Sequence, residues 1–127
     1  MARLKLKLQL YCGGEIAMGP GKADLLEAIG REGSISAAGR ALGMSYRRAW
    51  LLVDTMNRCW DGPLVATVPG GSARSGAAVT PLGQDVLARY RALQRAATQA
   101  AAGADWQALA GLLREAPRLR SREIPAG

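Results

Sequence analysis

Residues 34–60 read Ser-Ile-Ser-Ala-Ala-Gly-Arg-Ala-Leu-Gly-Met-Ser-Tyr-Arg-Arg-Ala-Trp-Leu-Leu-Val-Asp-Thr-Met-Asn-Arg-Cys-Trp. A short helical pattern, Ser34–Leu42, runs into Gly43, and a second helix opens on two adjacent arginines. Ser34 or Ser36 can cap the first helix by accepting an orphan backbone N–H. Ala37, Ala38 and Ala41 are small enough to let two helices cross closely. Gly43 suits the turn because it takes positive φ without a Cβ clash. Ser45 is the natural cap of the next helix, about Tyr46–Cys59, along which Ala49, Val53, Met56 and Trp60 recur at helical spacing. Trp50 and Leu52 flank that stripe, with Trp50 read as a core residue. Arg47, Arg48, Leu51, Asp54, Thr55 and Arg58 lie on the other face. This is the pattern of a helix-turn-helix, with DNA as the leading partner; an ordinary helical hairpin is the alternative.

Downstream, Leu64–Val68 and Ala77–Thr80 are short apolar runs flanking the Gly-rich loop Pro69–Gly76, whose one charge is Arg74. Strand, flexible loop and strand form a β-hairpin of the kind called a wing. Thr80 caps a long helix that opens on Pro81, suited to the first helical position. It continues through Leu87, Tyr90, Leu93 and Ala97 to about Ala102. Gly103 interrupts it, a short helix spans about Asp105–Glu115, and Pro117 ends it. Residues 1–116 read as one domain and 117–127 as a flexible basic tail.

Upstream, residues 3–11 alternate strictly, with Leu4, Leu6, Leu8 and Leu10 on one face and Arg3, Lys5, Lys7 and Gln9 on the other. That period predicts a strand with one buried face and a solvated, lysine-guarded one. Cys12–Gly21 reads as a loop. A helix from about Lys22 to Arg31 follows, with Leu25, Leu26 and Ile29 as its stripe and Gly33 as its stop.

The chain has 127 residues, and its 17 Lys and Arg stand against 10 Asp and Glu. Only Lys5, Lys7 and Lys22 are lysines. The surplus is densest in residues 31–60, where Arg31, Arg40, Arg47, Arg48 and Arg58 face only Glu32 and Asp54. A basic domain points to a polyanion, although an acidic protein or a membrane surface also fits. The chain lacks histidine, which removes the usual general base and the commonest metal ligand. No Gly-x-Gly-x-x-Gly and no phosphate-cradling Gly-Lys-Ser/Thr loop is present. The expectation is therefore a non-enzyme with no metal and no cofactor. Cys12 and Cys59 read as free thiols of a reduced, cytoplasmic protein, since the charged start is no export signal. No apolar run is long enough to span a membrane.

A recognition helix inserts its opening turn into the major groove. Here that turn carries Ser45, Tyr46, Arg47 and Arg48. Either arginine can take a guanine through O6 and N7, while Ser45 can hold a phosphate. Arg74 can enter the adjacent minor groove or contact the backbone. Ser34, Ser36 and Leu51 complete the DNA-binding candidates. The competing readings are a solvated helix face for Arg47 and Arg48, a free loop charge for Arg74 and a scaffold role for Tyr46.

The stretch Gly33–Trp50, together with Met56-Asn57, the Gly-rich loop at Gly70–Gly76 and Val79-Thr-Pro-Leu-Gly, resembles the N-terminal winged-helix domain of the molybdate-dependent (ModE-type) transcriptional regulators. LysR-type regulators share its helix-turn-helix more loosely. The resemblance covers about residues 4–115. It implies an α+β, mainly α, winged helix-turn-helix with an N-terminal strand, a hairpin wing and a long C-terminal dimerisation helix. It also implies a homodimer on palindromic double-stranded DNA, joined through Pro81–Ala102, the terminal helix and the N-terminal elements. The family's DNA contacts would fall on Ser45–Arg48 and the wing. Two departures qualify it. The chain stops where the family's molybdate-binding β-barrels would begin, so oxyanion sensing does not carry over. Leu51 stands where related sequences tend to be polar, as a methyl contact to thymine or a packing residue.

The resulting expectation is a stand-alone, dimeric transcription regulator. Two alternatives stand beside it. One is a winged-helix protein–protein module that does not read DNA. The other is a sensor of a small oxyanion or a metal, held by Cys12–Gly21, by Cys12 and Cys59, or under the long helix. A separate sensor protein is a further candidate partner.

Overall fold

A computed structural model describes residues 2–69 and 76–120. In chain order the elements are β1 (Leu10–Cys12), β2 (Glu15–Met18), α1 (Pro20–Glu32), α2 (Ile35–Ala41), α3 (Tyr46–Cys59), β3 (Val65–Val68), β4 (Gly76–Val79), α4 (Pro81–Ala101) and α5 (Ala104–Leu112). The helices carry most of the mass, and the strands form two antiparallel pairs, β1–β2 and β3–β4. The α+β, mainly helical expectation holds at that level.

Helix α1 is the hub. Pro20 opens it, and Gly33 closes it in the left-handed conformation at φ 80°, where a Cβ would be strained. Its Ala23, Leu25, Leu26, Ala28 and Ile29 are buried. They join Met18, Ala38, Ala49, Val53, Met56, Leu64, Val65, Ala77, Val86 and Tyr90 in one core. Removing these apolar side chains from water is the main stabilising term.

The two halves of the chain are joined by polar pins. The Gly33 carbonyl accepts from Ala77 N at 2.9 Å, fixing β4 beside the end of α1. Thr80 caps α4 by accepting from Gly83 N at 3.0 Å, and its hydroxyl donates to the Pro63 carbonyl at 2.7 Å. Gly83 is required there, since a Cβ would collide with the Leu64 carbonyl. The Tyr90 hydroxyl donates to the Leu8 carbonyl at 2.7 Å, tying α4 to the N-terminal segment.

Three expectations need correction. The strand over residues 3–11 is a strand only at Leu10–Cys12. The alternation survives as burial, with Leu4, Leu6 and Leu8 half-buried and Arg3, Lys5 and Lys7 exposed. Alternation reports a one-faced segment, whereas a strand also needs a ladder partner, and these residues have none among those described. The presumed loop Cys12–Gly21 contains β2 and the first two residues of α1. Gly13, at φ 59°, and Gly14 make a tight hairpin turn that pairs Cys12 with Glu15. Trp50 is 47% exposed rather than core. It lies one residue off the stripe, and Ala49 takes the inward position beside it. The tip of the β3–β4 hairpin, with Arg74, and the tail beyond residue 120 lie outside the described residues.

Candidate nucleic-acid interface

The interface begins with how closely α2 and α3 meet. A Cβ on Gly39 would stand 3.1 Å from the Ala49 Cβ, so the crossing has little room to spare. The turn between the helices is made by Gly43 at φ 71°, with Met44 N donating to the Gly39 carbonyl at 2.9 Å. These contacts set the direction of α3.

Ser45 caps α3, its Oγ accepting from Arg48 N at 3.1 Å. The cap leaves Tyr46, Arg47 and Arg48 exposed on the opening turn. Neither Arg47 nor Arg48 pairs with a carboxylate among the described residues, whereas Arg31, Arg58, Arg89 and Arg91 all do. Lys22 adds to the same positive field. Burial pushes its ammonium below the ordinary lysine range, and the charge of Arg48 pushes it in the same direction. Leu51 is 47% exposed.

Ser34 and Ser36 are placed at the start of α2. The Ser34 Oγ accepts from Ala37 N at 3.0 Å, capping that helix, and the Ser36 Oγ accepts from Arg40 Nη1 at 2.8 Å. Both serines, with Ile35, Tyr46, Trp50, Thr67, Gly76 and Ala77, line a hollow of about 210 Å³ between α2, α3 and the β3–β4 hairpin. The structure thus brings Ser34, Ser36 and Tyr46 to one place, next to Ser45, Arg47 and Arg48. Sequence reasoning missed Trp50, Thr67 and Arg40 here. The spacing of Tyr46 and Trp50, four residues apart on one helix, could have signalled the first.

The far end of α3 is built differently. Arg58 donates to both Glu15 oxygens, at 2.7 and 3.0 Å, and to Asp54 Oδ2 at 3.0 Å. The hydrogen bonds to Glu15 and Asp54 raise its already high pKa, and the Arg58 guanidinium holds the Glu15 carboxyl below the usual carboxylate range. Asn57 Oδ1 accepts from Leu64 N and Val65 N, and its Nδ2 donates to the Val65 carbonyl, all within 2.9–3.0 Å. Trp60 Nε1 donates to the Ala17 carbonyl at 3.2 Å.

No group of three or more Cys, Asp or Glu able to hold a metal is assembled among the described residues. No described helix is long and apolar enough to cross a membrane.

No family model matches the chain. Over parts of its length it is similar to curated proteins. It is 48% identical over 77 residues to the molybdenum-pterin-binding protein MopB of Rhodobacter capsulatus, covering 61% of this chain and 28% of that one. It is 47% identical over 70 residues to the molybdenum transport protein ModE of Azotobacter vinelandii, covering 55% and 26%. It is 33% identical over 87 residues to the DNA-binding transcriptional dual regulator ModE of Escherichia coli K12, covering 68% and 31%. The matched stretch therefore spans between about a quarter and a third of each relative's length.

Proposed function

We propose that this chain is a sequence-specific DNA-binding transcriptional regulator, a cytoplasmic non-enzyme that reads operator DNA as a winged helix-turn-helix dimer. The observation that carries it is the opening turn of α3, where Arg47 and Arg48 stand exposed and without a described acidic partner on a helix seated tightly against α2. Placed in the major groove, that turn offers two guanidinium forks to base edges and phosphates. The β3–β4 hairpin, held to α1 through Gly33 and Ala77, would serve as the wing beside it. Similarity to a protein named as a DNA-binding transcriptional regulator supports the same reading.

A dimer suits the second half of the chain. The α4 stripe is buried at Val86 and Tyr90, but Leu93 is 47% exposed, and α5 buries nothing while Leu109, Leu112 and Leu113 stand out. Two copies related by a two-fold axis would present two recognition helices to half-sites about one helical turn apart.

The test is fluorescence anisotropy or gel-shift with promoter DNA from the protein's own locus across a salt series. Binding that weakens as salt rises and collapses in Arg47→Ala with Arg48→Ala is expected. Absence of salt-sensitive binding overturns the reading.

A further inference from the structure

Cys12 and Cys59 are far apart in sequence and are brought together in the fold. Cys12 ends β1 and pairs across the turn with Glu15. Glu15 grips Arg58 through both carboxylate oxygens, and Cys59 is the next residue and the last of α3. Trp60, one residue further, is pinned to Ala17 on β2. Two clamps, at the residues before and after Cys59, thus hold the β1–β2 hairpin against the end of α3. Cys12 is exposed and Cys59 half-buried. Burial, followed by the neighbouring Cys12 thiol, raises the pKa of Cys59, while the charge of Arg58 opposes the rise.

We propose that Cys12 and Cys59 form a reversible dithiol–disulfide pair, with the exposed Cys12 as the peroxide-reactive thiol and Cys59 as the thiol that resolves it. The Cys12 thiolate attacks the O–O bond of a hydroperoxide, forming an S–O bond and expelling hydroxide or alkoxide, which takes up a proton. The Cys59 thiolate then displaces the hydroxyl of the Cys12 sulfenic acid, forming the S–S bond and releasing water. Two electrons pass from the two thiols to the peroxide, and a dithiol reductant returns them by exchange. The cross-link joins the hairpin to the clamped end of α3 and restricts the unfolded chain. The pairing is independent of whether the chain reads DNA.

The test uses the full chain and hydrogen peroxide in small excess. Titratable thiols should fall from two per chain to none, a peptide map should join the Cys12 and Cys59 peptides within one chain, and dithiothreitol should restore both thiols. The oxidised chain should melt at a higher temperature than the reduced one. In Cys59→Ser, the Cys12 sulfenic acid should persist and be trapped by a cyclic diketone; Cys12→Ser should give neither product. Cross-links between chains, separate over-oxidation of the two cysteines, or unchanged thiols in the folded wild type would each overturn the proposal.

Discussion

The two ends of α3 carry the same residue type in opposite conditions. At the opening end, Arg47 and Arg48 are exposed and meet no carboxylate among the described residues. At the closing end, Arg58 is held by Glu15 and Asp54, Asn57 staples β3, and Trp60 reaches β2. A cation whose hydrogen bonds are already taken has little to offer an anion from outside. One whose fork is vacant must find water or a ligand. The closing end therefore fixes the helix, and the opening end carries the two exposed guanidiniums that the proposed function assigns to DNA.

That contrast breaks most visibly if Arg47 and Arg48 are removed. In Arg47→Ala with Arg48→Ala, each lost guanidinium contact should cost about 1–3 kcal/mol of DNA binding where it reads a base. Affinity should fall at least about tenfold. The melting temperature should stay close to wild type, because surface changes of this kind usually stay within about 0.5 kcal/mol. Anisotropy titration and a thermal melt on the same preparation check both halves. A double variant that melts early but still binds would reverse the roles assigned to the two ends.

Asn57→Ala should show the opposite profile. It removes three hydrogen bonds and leaves the amides of Leu64 and Val65 without their acceptor. At roughly 1 kcal/mol per net hydrogen bond, a loss of about 2–3 kcal/mol is expected. Urea denaturation measures it, and DNA affinity corrected for the folded fraction should change far less.

Between these lies Ser45→Ala, which touches the binding end through its backbone. Losing the cap on Arg48 N should cost about 1 kcal/mol of stability and loosen the turn that carries both arginines. Ser45→Asp, which keeps a capping oxygen, should restore the melt. It also places a negative charge beside the arginines, so it should not restore DNA binding. Differential scanning calorimetry together with anisotropy separates the two effects.

Much of this division was legible in the sequence. Gly43, Ser45 and the Ala49–Val53–Met56 stripe placed α3 between its bounds, because local capping and period decide a helix with little outside help. The DNA-facing candidates Ser45, Tyr46, Arg47 and Arg48 followed from their place on the opening turn. The closing end was not legible. Glu15 and Ala17, the β2 partners of Arg58 and Trp60, lie 43 residues away, and β2 falls inside Cys12–Gly21, a stretch whose glycines read as a loop. Gly13 and Gly14 suit a loop, but a two-residue turn of this kind is also a hairpin signal. Trp50 was misplaced because periodicity ranks positions by angle and cannot tell which of two adjacent apolar residues, Ala49 or Trp50, the neighbouring helix will accept.

The smallest expected effect tests the clamp by pH. Glu15 is exposed, and exposed ion pairs contribute little because water screens them. Its carboxyl nonetheless sits below its usual 4.5, first through the hydrogen bond from Arg58. A group whose folded pKa is depressed stabilises the fold above its unfolded pKa, and that contribution fades as pH falls through the folded value. The wild type should therefore lose a small increment of stability below about pH 4.5 that Glu15→Gln lacks at every pH. The melting curves of the two proteins should separate slightly at neutral pH and converge in acid. If they separate further in acid, Glu15 is not the partner that holds Arg58, and the closing end of α3 rests on Asn57 and Trp60 alone.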